Sequence, residues 1–117
     1  MTSLDLVKTA ARALDDKKAK DIRAIAVREL TIVTDYFLMA SGDSVTQTKA
    51  LADEVEYRLS QQGLQPARIE GYQEGSWIIL DYLELVVHIF TTQTREFYSL
   101  ERLWSDGQQL DLTDVID

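Results

Sequence analysis

Residues 77–90 read WIILDYLELVVHIF, and this stretch decides the fold. It holds two apolar runs of strand length, Trp77 to Tyr82 and Leu85 to Phe90, and the two residues between them let the strands pair antiparallel. Farther on, residues 95–104 carry apolar side chains at helical spacing. The segment offers many groups for packing or for contact with a protein surface. It offers no pair of groups spaced for acid–base, nucleophilic or metal chemistry, which indicates a binding protein rather than an enzyme.

The flanking sequence predicts the remaining elements from apolar periodicity and capping residues. We expect strands over 21–27, 36–40 and 66–70, with a short helical turn over 29–34. A first helix should start at Ser3 with the stripe Leu4, Val7, Ala11 and Leu14, and a second should run over 45–62, between Ser44 and Gly63, and bury Thr48, Leu51, Ala52, Val55 and Leu59. A final helix should run from 93 or 94 to 104, with Phe97, Leu100, Leu103 and Trp104 on its buried side.

This order of elements predicts the fold class. We expect an α/β fold, a single domain with one mixed sheet of about five strands, helices on both faces, and antiparallel pairing in its second half only. We place the domain at residues 1–106 and an acidic, partly ordered tail at 107–117, because that last segment carries aspartates and no basic residue.

Composition excludes several classes of protein and site. The 117 residues contain no cysteine and one histidine, so disulfides, thiolate zinc sites and multi-histidine metal sites are excluded. The start of the chain lacks a basic region followed by an apolar run, and no apolar segment is long enough to cross a bilayer, so we expect a cytoplasmic protein without a membrane partner. A net charge of −8 opposes nucleic-acid binding and favours a basic protein partner, although acidity that serves solubility alone stays an alternative.

Three groups invite a catalytic interpretation. Gly42-Asp43-Ser44 precedes a helix, as in nucleotidyltransferases, but Asp81 and Glu84 are three residues apart, which places them on opposite faces of an extended chain. Ser44 is better explained as a helix cap. His88 lies within an apolar strand, where we expect a structural histidine whose ring nitrogens meet backbone or a carboxylate.

The aromatic residues leave two alternatives open. Trp104 shares a helix stripe with Phe97 and is expected in the core. Trp77 opens a strand after a polar turn and Tyr82 ends the same strand beside another turn, so exposure and burial are equally expected for them. Exposed aromatic side chains on a charged domain are typical of interface anchors.

At these residues the sequence resembles the ribosomal silencing factor S family, also called the Iojap family. The matching segments cover about residues 5 to 104 in order: Asp35-Tyr36-Phe37, Ser41-Gly42, Glu70-Gly71, Trp77, Asp81-Tyr82, Val86-Val87-His88-Ile89-Phe90, Arg95 with Phe97-Tyr98, and Leu100-Glu101 with Leu103-Trp104. The resemblance implies a nucleotidyltransferase-like α/β fold without catalytic residues or cofactor. It also implies binding to ribosomal protein L-fourteen on the large ribosomal subunit, which blocks docking of the small subunit and lowers translation when nutrients are scarce.

Two positions depart from the family pattern. Many members have Gly-Asp where this chain has Leu83-Glu84, and an arginine where it has Val45-Thr46-Gln47. We expect the partner to contact Glu70, Trp77, Asp81, Tyr82 and Tyr98, with rings that exclude water and carboxylates that face basic groups. The family's free proteins tend to pair, which makes a homodimer an expectation. The alternative functions are a non-ribosomal adaptor or dimerising interaction domain and, third, an active nucleotidyltransferase.

Overall fold

The computed structural model describes residues 2–99, 102 and 104–116. Its elements, in chain order, are α1 (Ser3–Asp16), β1 (Lys20–Ala26), β2 (Tyr36–Gly42), α2 (Val45–Ser60), β3 (Arg68–Glu70), β4 (Trp77–Asp81), β5 (Leu85–Thr91), α3 (Thr92–Tyr98) and β6 (Gln108–Gln109). The strands form one mixed six-stranded sheet in the order β3-β4-β5-β2-β1-β6. Within the described ranges, no helix is long and apolar enough to cross a bilayer.

The parallel contact of the sheet lies at its centre, between β2 and β5. The predicted antiparallel pairing of β4 with β5 is confirmed, and β3 pairs with β4 in the same sense. The prediction that antiparallel pairing is confined to the second half was wrong, because β1 also pairs antiparallel with β2. The connection over residues 27–35 is too short for a parallel crossover, which needs about a dozen residues. It forms a hydrogen-bonded turn at Val27 to Thr31 instead of the expected helical turn.

One face of the sheet is covered by α1 and α2. The buried side chains of α2 are Thr48, Leu51, Ala52, Val55 and Leu59, as its periodicity predicted, and Ser44 caps it by accepting a hydrogen bond from the Gln47 amide. The predicted cap of α1 was one residue late. Thr2 and Asp5 form a reciprocal capping box there, which satisfies two free amide groups at the helix start. Leu4 is consequently exposed, and the stripe begins at Leu6.

The other face has a smaller core, and less of it is helical than expected. Its buried members are Ile25, Val27, Phe37, Met39, Val86 and Phe90, with Trp77, Ile79 and Trp104 partly buried against them. α3 ends at Tyr98, since Ser99 adopts a left-handed conformation (φ 49°). Phe97 was predicted to be buried and is 81% exposed. Leu100 and Leu103 lie outside the described residues.

The segment after Asp106, predicted to be a partly ordered tail, lies along β1. Gln108 and Gln109 pair with Ala26 and Ile25 to form β6. Leu112 is buried in the helix-side core, and the Asp114 carboxylate lies 2.7 Å from the Lys8 ammonium group. Residues 107–116 therefore extend both the sheet and the core.

Candidate functional site: an aromatic edge on the sheet

Two aromatic rings from different elements meet at the border of the smaller core. Trp77 is the first residue of β4, and Tyr98 is the last residue of α3. Their ring centroids are 5.0 Å apart, and Tyr98 is 55% exposed. The inner side of the Trp77 indole rests on Phe90 with a centroid distance of 5.0 Å. Tyr98 thus extends a supported aromatic surface into solvent.

Carboxylates share this face of the sheet with the rings. Side chains of a strand alternate between faces, so Trp77, Ile79 and Asp81 point to the same side. Residues paired directly across strands also share a face, and Glu70 pairs with Ile79. Glu70 is exposed at the outer strand, and Asp81 is partly buried. We call Glu70, Trp77, Ile79, Asp81 and Tyr98 the aromatic edge.

Asp81 has a structural task within the aromatic edge. One carboxylate oxygen accepts a hydrogen bond from the Leu83 amide at 2.8 Å, and the other lies 3.4 Å from an Arg68 guanidinium nitrogen. Leu83 has a φ of 73°, in the left-handed region that favours glycine. The carboxylate therefore supports the β4–β5 turn at the position where a glycine was expected to help.

Tyr82 does not join the other four predicted contact residues. It follows Asp81 by one position, so its side chain points to the opposite face and packs in the helix-side core. It is 7% exposed, and its hydroxyl finds no hydrogen-bond partner among the described residues. Burial raises the pKa of the Tyr82 phenol well above its ordinary value. Glu70, Trp77 and Asp81 share one face of the sheet, and Tyr98 contacts Trp77 at its border, so Tyr82 alone of the five predicted contact residues lies elsewhere.

His88 lies directly beneath the aromatic edge. Its Nδ1 accepts a hydrogen bond from the indole Nε1–H of Trp77 at 3.0 Å, and not from backbone or a carboxylate, the predicted partners. Its ring also contacts Phe37 edge-on, at 5.2 Å between centroids. Burial lowers the pKa of His88 to about 4, so the ring is neutral at pH 7. Trp77 pairs directly with Phe90, two residues from His88, so the hairpin register itself predicts that the two rings share a face.

The residues weighed for phosphate chemistry have other roles. Ser44 caps α2, and Asp43 pairs with the Lys20 ammonium group at 2.8 Å. In residues 2–99, 102 and 104–116, no three His, Asp or Glu side chains cluster closely enough to hold a metal ion. What this arrangement can do is present rings and carboxylates to another surface.

The comparison with known families gives a match over the whole chain. The family described as "Ribosomal silencing factor during starvation" (RsfS) matches residues 1–117. This chain belongs to the RsfS family. The RsfS family is named for a regulatory action on ribosomes, so the chain is placed among regulators of translation with a ribosome-related partner.

Individual members of the RsfS family match over nearly their full length. The ribosomal silencing factor RsfS of Halalkalibacterium halodurans is 35% identical over 116 residues, covering 99% of this chain and 99% of that protein. The corresponding protein of Bacillus subtilis is 38% identical over 112 residues, covering 96% and 95%. A crystal structure of a Chromobacterium violaceum protein matches with a TM-score of 0.88 at 34% identity and covers 97% of this chain and 93% of that one. The family model and these two relatives thus agree on the RsfS family, and the Chromobacterium violaceum protein shares the fold.

Segments that carried the RsfS resemblance converge in space. Phe37 on β2, His88 on β5 and Trp77 on β4 form one aromatic cluster, with Trp104 against Phe37 at 5.1 Å between centroids. These residues are far apart in sequence and meet on one face of the sheet. The motif residues therefore build and support the aromatic edge.

Proposed function

We propose that this protein binds the large ribosomal subunit through ribosomal protein L-fourteen and sterically blocks joining of the small subunit. Translation is thereby repressed under nutrient limitation or in stationary phase. Membership in the RsfS family supports a ribosomal partner, and the resemblance described above supports the large subunit as that partner. The action requires a firm contact and a rigid body in the joining interface.

The observation that carries the proposal is the aromatic edge. Trp77 is backed by Phe90 and adjoins the half-exposed Tyr98, while Glu70 lies at the outer strand of the same face. A supported aromatic pair with polar groups around it is the usual composition of an interface centre and its rim. The exposed Glu70 carboxylate suits a basic partner surface, and ribosomal proteins that contact RNA are commonly basic.

The rest of the molecule supplies the rigid body. Cores on both faces of the sheet hold the strands that carry the aromatic edge. Close packing of this kind resists deformation, as a steric block requires. We further propose a cytoplasmic location, a homodimer in the free protein and a nucleotidyltransferase-like fold, as the resemblance implies.

The decisive experiment is cosedimentation of the purified protein with isolated large ribosomal subunits. We expect wild type to sediment with the subunit and Trp77→Ala and Tyr98→Ala to bind at least tenfold more weakly, because truncating a central aromatic anchor costs about 2 kcal/mol or more. Tyr57→Ala is the matched control, since Tyr57 is 59% exposed and lies on α2, away from the aromatic edge. A pull-down with ribosomal protein L-fourteen then tests the named partner.

Two outcomes overturn the proposal. Failure of the wild type to sediment with large subunits in mild buffer would leave the non-ribosomal adaptor as the better hypothesis. Equal loss of binding in Tyr57→Ala and Tyr98→Ala would move the contact away from the aromatic edge. Circular dichroism of each variant establishes that the fold is retained.

A further inference from the structure

His88 is held in one protonation state by its contact with Trp77. An indole nitrogen only donates hydrogen bonds, so the Nδ1 that receives the Trp77 Nε1–H at 3.0 Å must be unprotonated. The proton of the neutral ring then lies on Nε2. That atom is buried, and it has no hydrogen-bond partner among the residues that the structure describes. Of the two ring nitrogens, only Nδ1 forms a hydrogen bond with a residue that the structure describes.

Packing alone does not account for an imidazole at this position. Val86 and Phe90 lie on the same face of β5 and are buried, and His88 itself is 6% exposed. A buried donor without a partner loses its hydration and gains nothing in return. A phenylalanine ring would fill this space between apolar neighbours without that loss. The polar ring therefore matters for what its Nδ1 binds.

The donor of this hydrogen bond, Trp77, lies at the end of a strand rather than in its middle. Trp77 begins β4 directly after the turn over residues 71–76, and it is only partly buried. Rotation about the Cα–Cβ and Cβ–Cγ bonds sets where the indole lies, and ring contacts with Phe90 and Tyr98 restrict that choice. The hydrogen bond to His88 adds a directional constraint, because it forms only in a rotamer whose Nε1–H points at Nδ1.

We propose that His88 is a positioning residue for partner binding, whose Nδ1 holds the Trp77 indole in the orientation that forms the aromatic edge with Tyr98. This inference rests on the proposed function, since it assigns the edge to a ribosomal partner. Holding the ring before the encounter lowers the entropic cost of ordering it during binding. His88 thereby contributes to affinity without touching the partner.

The test compares His88→Phe and His88→Asn with wild type in three measurements. These are thermal stability, solvent exchange of the Trp77 indole N–H by NMR, and affinity for isolated large ribosomal subunits by cosedimentation. We expect His88→Phe to keep its thermal midpoint, to exchange the indole proton at least tenfold faster and to bind about tenfold more weakly. In His88→Asn the side-chain oxygen takes the place of Nδ1, so slow exchange and most of the affinity return. His88→Leu replaces His88→Phe if the larger ring disturbs packing.

Val55→Ala is the matched control, because Val55 is fully buried in the helix-side core, on the face of the sheet opposite the Trp77–His88 hydrogen bond. It should lower stability and leave the exchange of the Trp77 proton and the affinity within twofold of wild type. If His88→Phe exchanges its indole proton fast but binds with wild-type affinity, the positioning role of His88 is overturned and the proposed function is not. Slow exchange in His88→Phe also overturns the positioning role. Absence of wild-type binding overturns the proposed function, and the role of His88 in partner binding with it.

Discussion

Burial lowers the pKa of His88 from its ordinary value of 6.5 to about 4. The charged imidazolium would lose its hydration in an apolar cluster, and protonated Nδ1 would meet the Trp77 indole donor. The same side chain therefore links the pH dependence of stability to the geometry of the aromatic edge.

Stability should fall in mild acid because of this residue. Between pH 6.5 and about 4 the unfolded chain binds a proton at His88 that the folded chain does not, so the free energy of unfolding decreases as the pH falls through this range. The full effect is about 3 kcal/mol. Urea unfolding of wild type and His88→Phe at several pH values between 7 and 4 measures it. Because the carboxylates titrate in both proteins, the difference between their curves of unfolding free energy against pH reports the protonation of His88. Parallel curves would contradict the prediction.

Elements with strong periodicity were predictable from the sequence, and those defined by tertiary contacts were not. The buried face of α2 and the β4–β5 hairpin follow from local spacing and turn length. β6 is two glutamines long and carries no strand pattern, and its place depends on pairing with β1. The end of α3 was also hidden, since Ser99 ends the helix in a left-handed conformation that glycine usually marks.

The candidate site, like the fold, was predictable where it depends on local spacing and not where it depends on tertiary contacts. Trp77 and Asp81 share a face by strand alternation, and Tyr98 was placed with them by its residue type and its location in the chain. Alternation also puts Tyr82 on the other face, so its assignment to the site neglected the period of two. The hydrogen bond between Trp77 and His88 needed the hairpin register, which the two-residue connection leaves undetermined until the turn geometry is known.

The turn before β4 should be as important to the site as the aromatic residues. Gly71 has a φ of 76°, and a Cβ there would collide with the backbone carbonyl oxygen of Trp77. Gly71→Ala should therefore displace the start of β4, lower the free energy of unfolding by about 2 kcal/mol or more, and weaken partner binding. Chemical denaturation and cosedimentation with large subunits measure the two effects.

Gly63 provides the matched control for that substitution. It has a similar φ of 81°, but a Cβ there would have no neighbour within 4 Å. Gly63→Ala should cost only the backbone strain of about 1 kcal/mol and leave binding unchanged. Equal effects of the two substitutions would show that conformation alone, and no collision with Trp77, determines the loss.

At the scale of the whole molecule, the net charge of −8 would add a long-range effect to the proposed steric block. The proposed position lies between two RNA-rich surfaces, and a strongly acidic domain held there repels the phosphates of the arriving subunit. Such repulsion extends over about one Debye length, roughly 10 Å at 0.1 M salt, and weakens as salt is added. Inhibition of subunit joining should then have a constant steric part and a salt-sensitive part.

A salt series separates the two parts when the occupancy of large subunits is held constant at each concentration. We expect inhibition per bound molecule to decrease as salt rises, and to decrease less in the double variant Glu29→Gln and Asp106→Asn. Both side chains are exposed and lie on the β1 side of the sheet, away from the aromatic edge, so their neutralisation lowers the negative charge without removing a proposed contact. Light scattering of subunit joining gives the measurement. Inhibition that is independent of salt and of these two charges would leave the steric term alone.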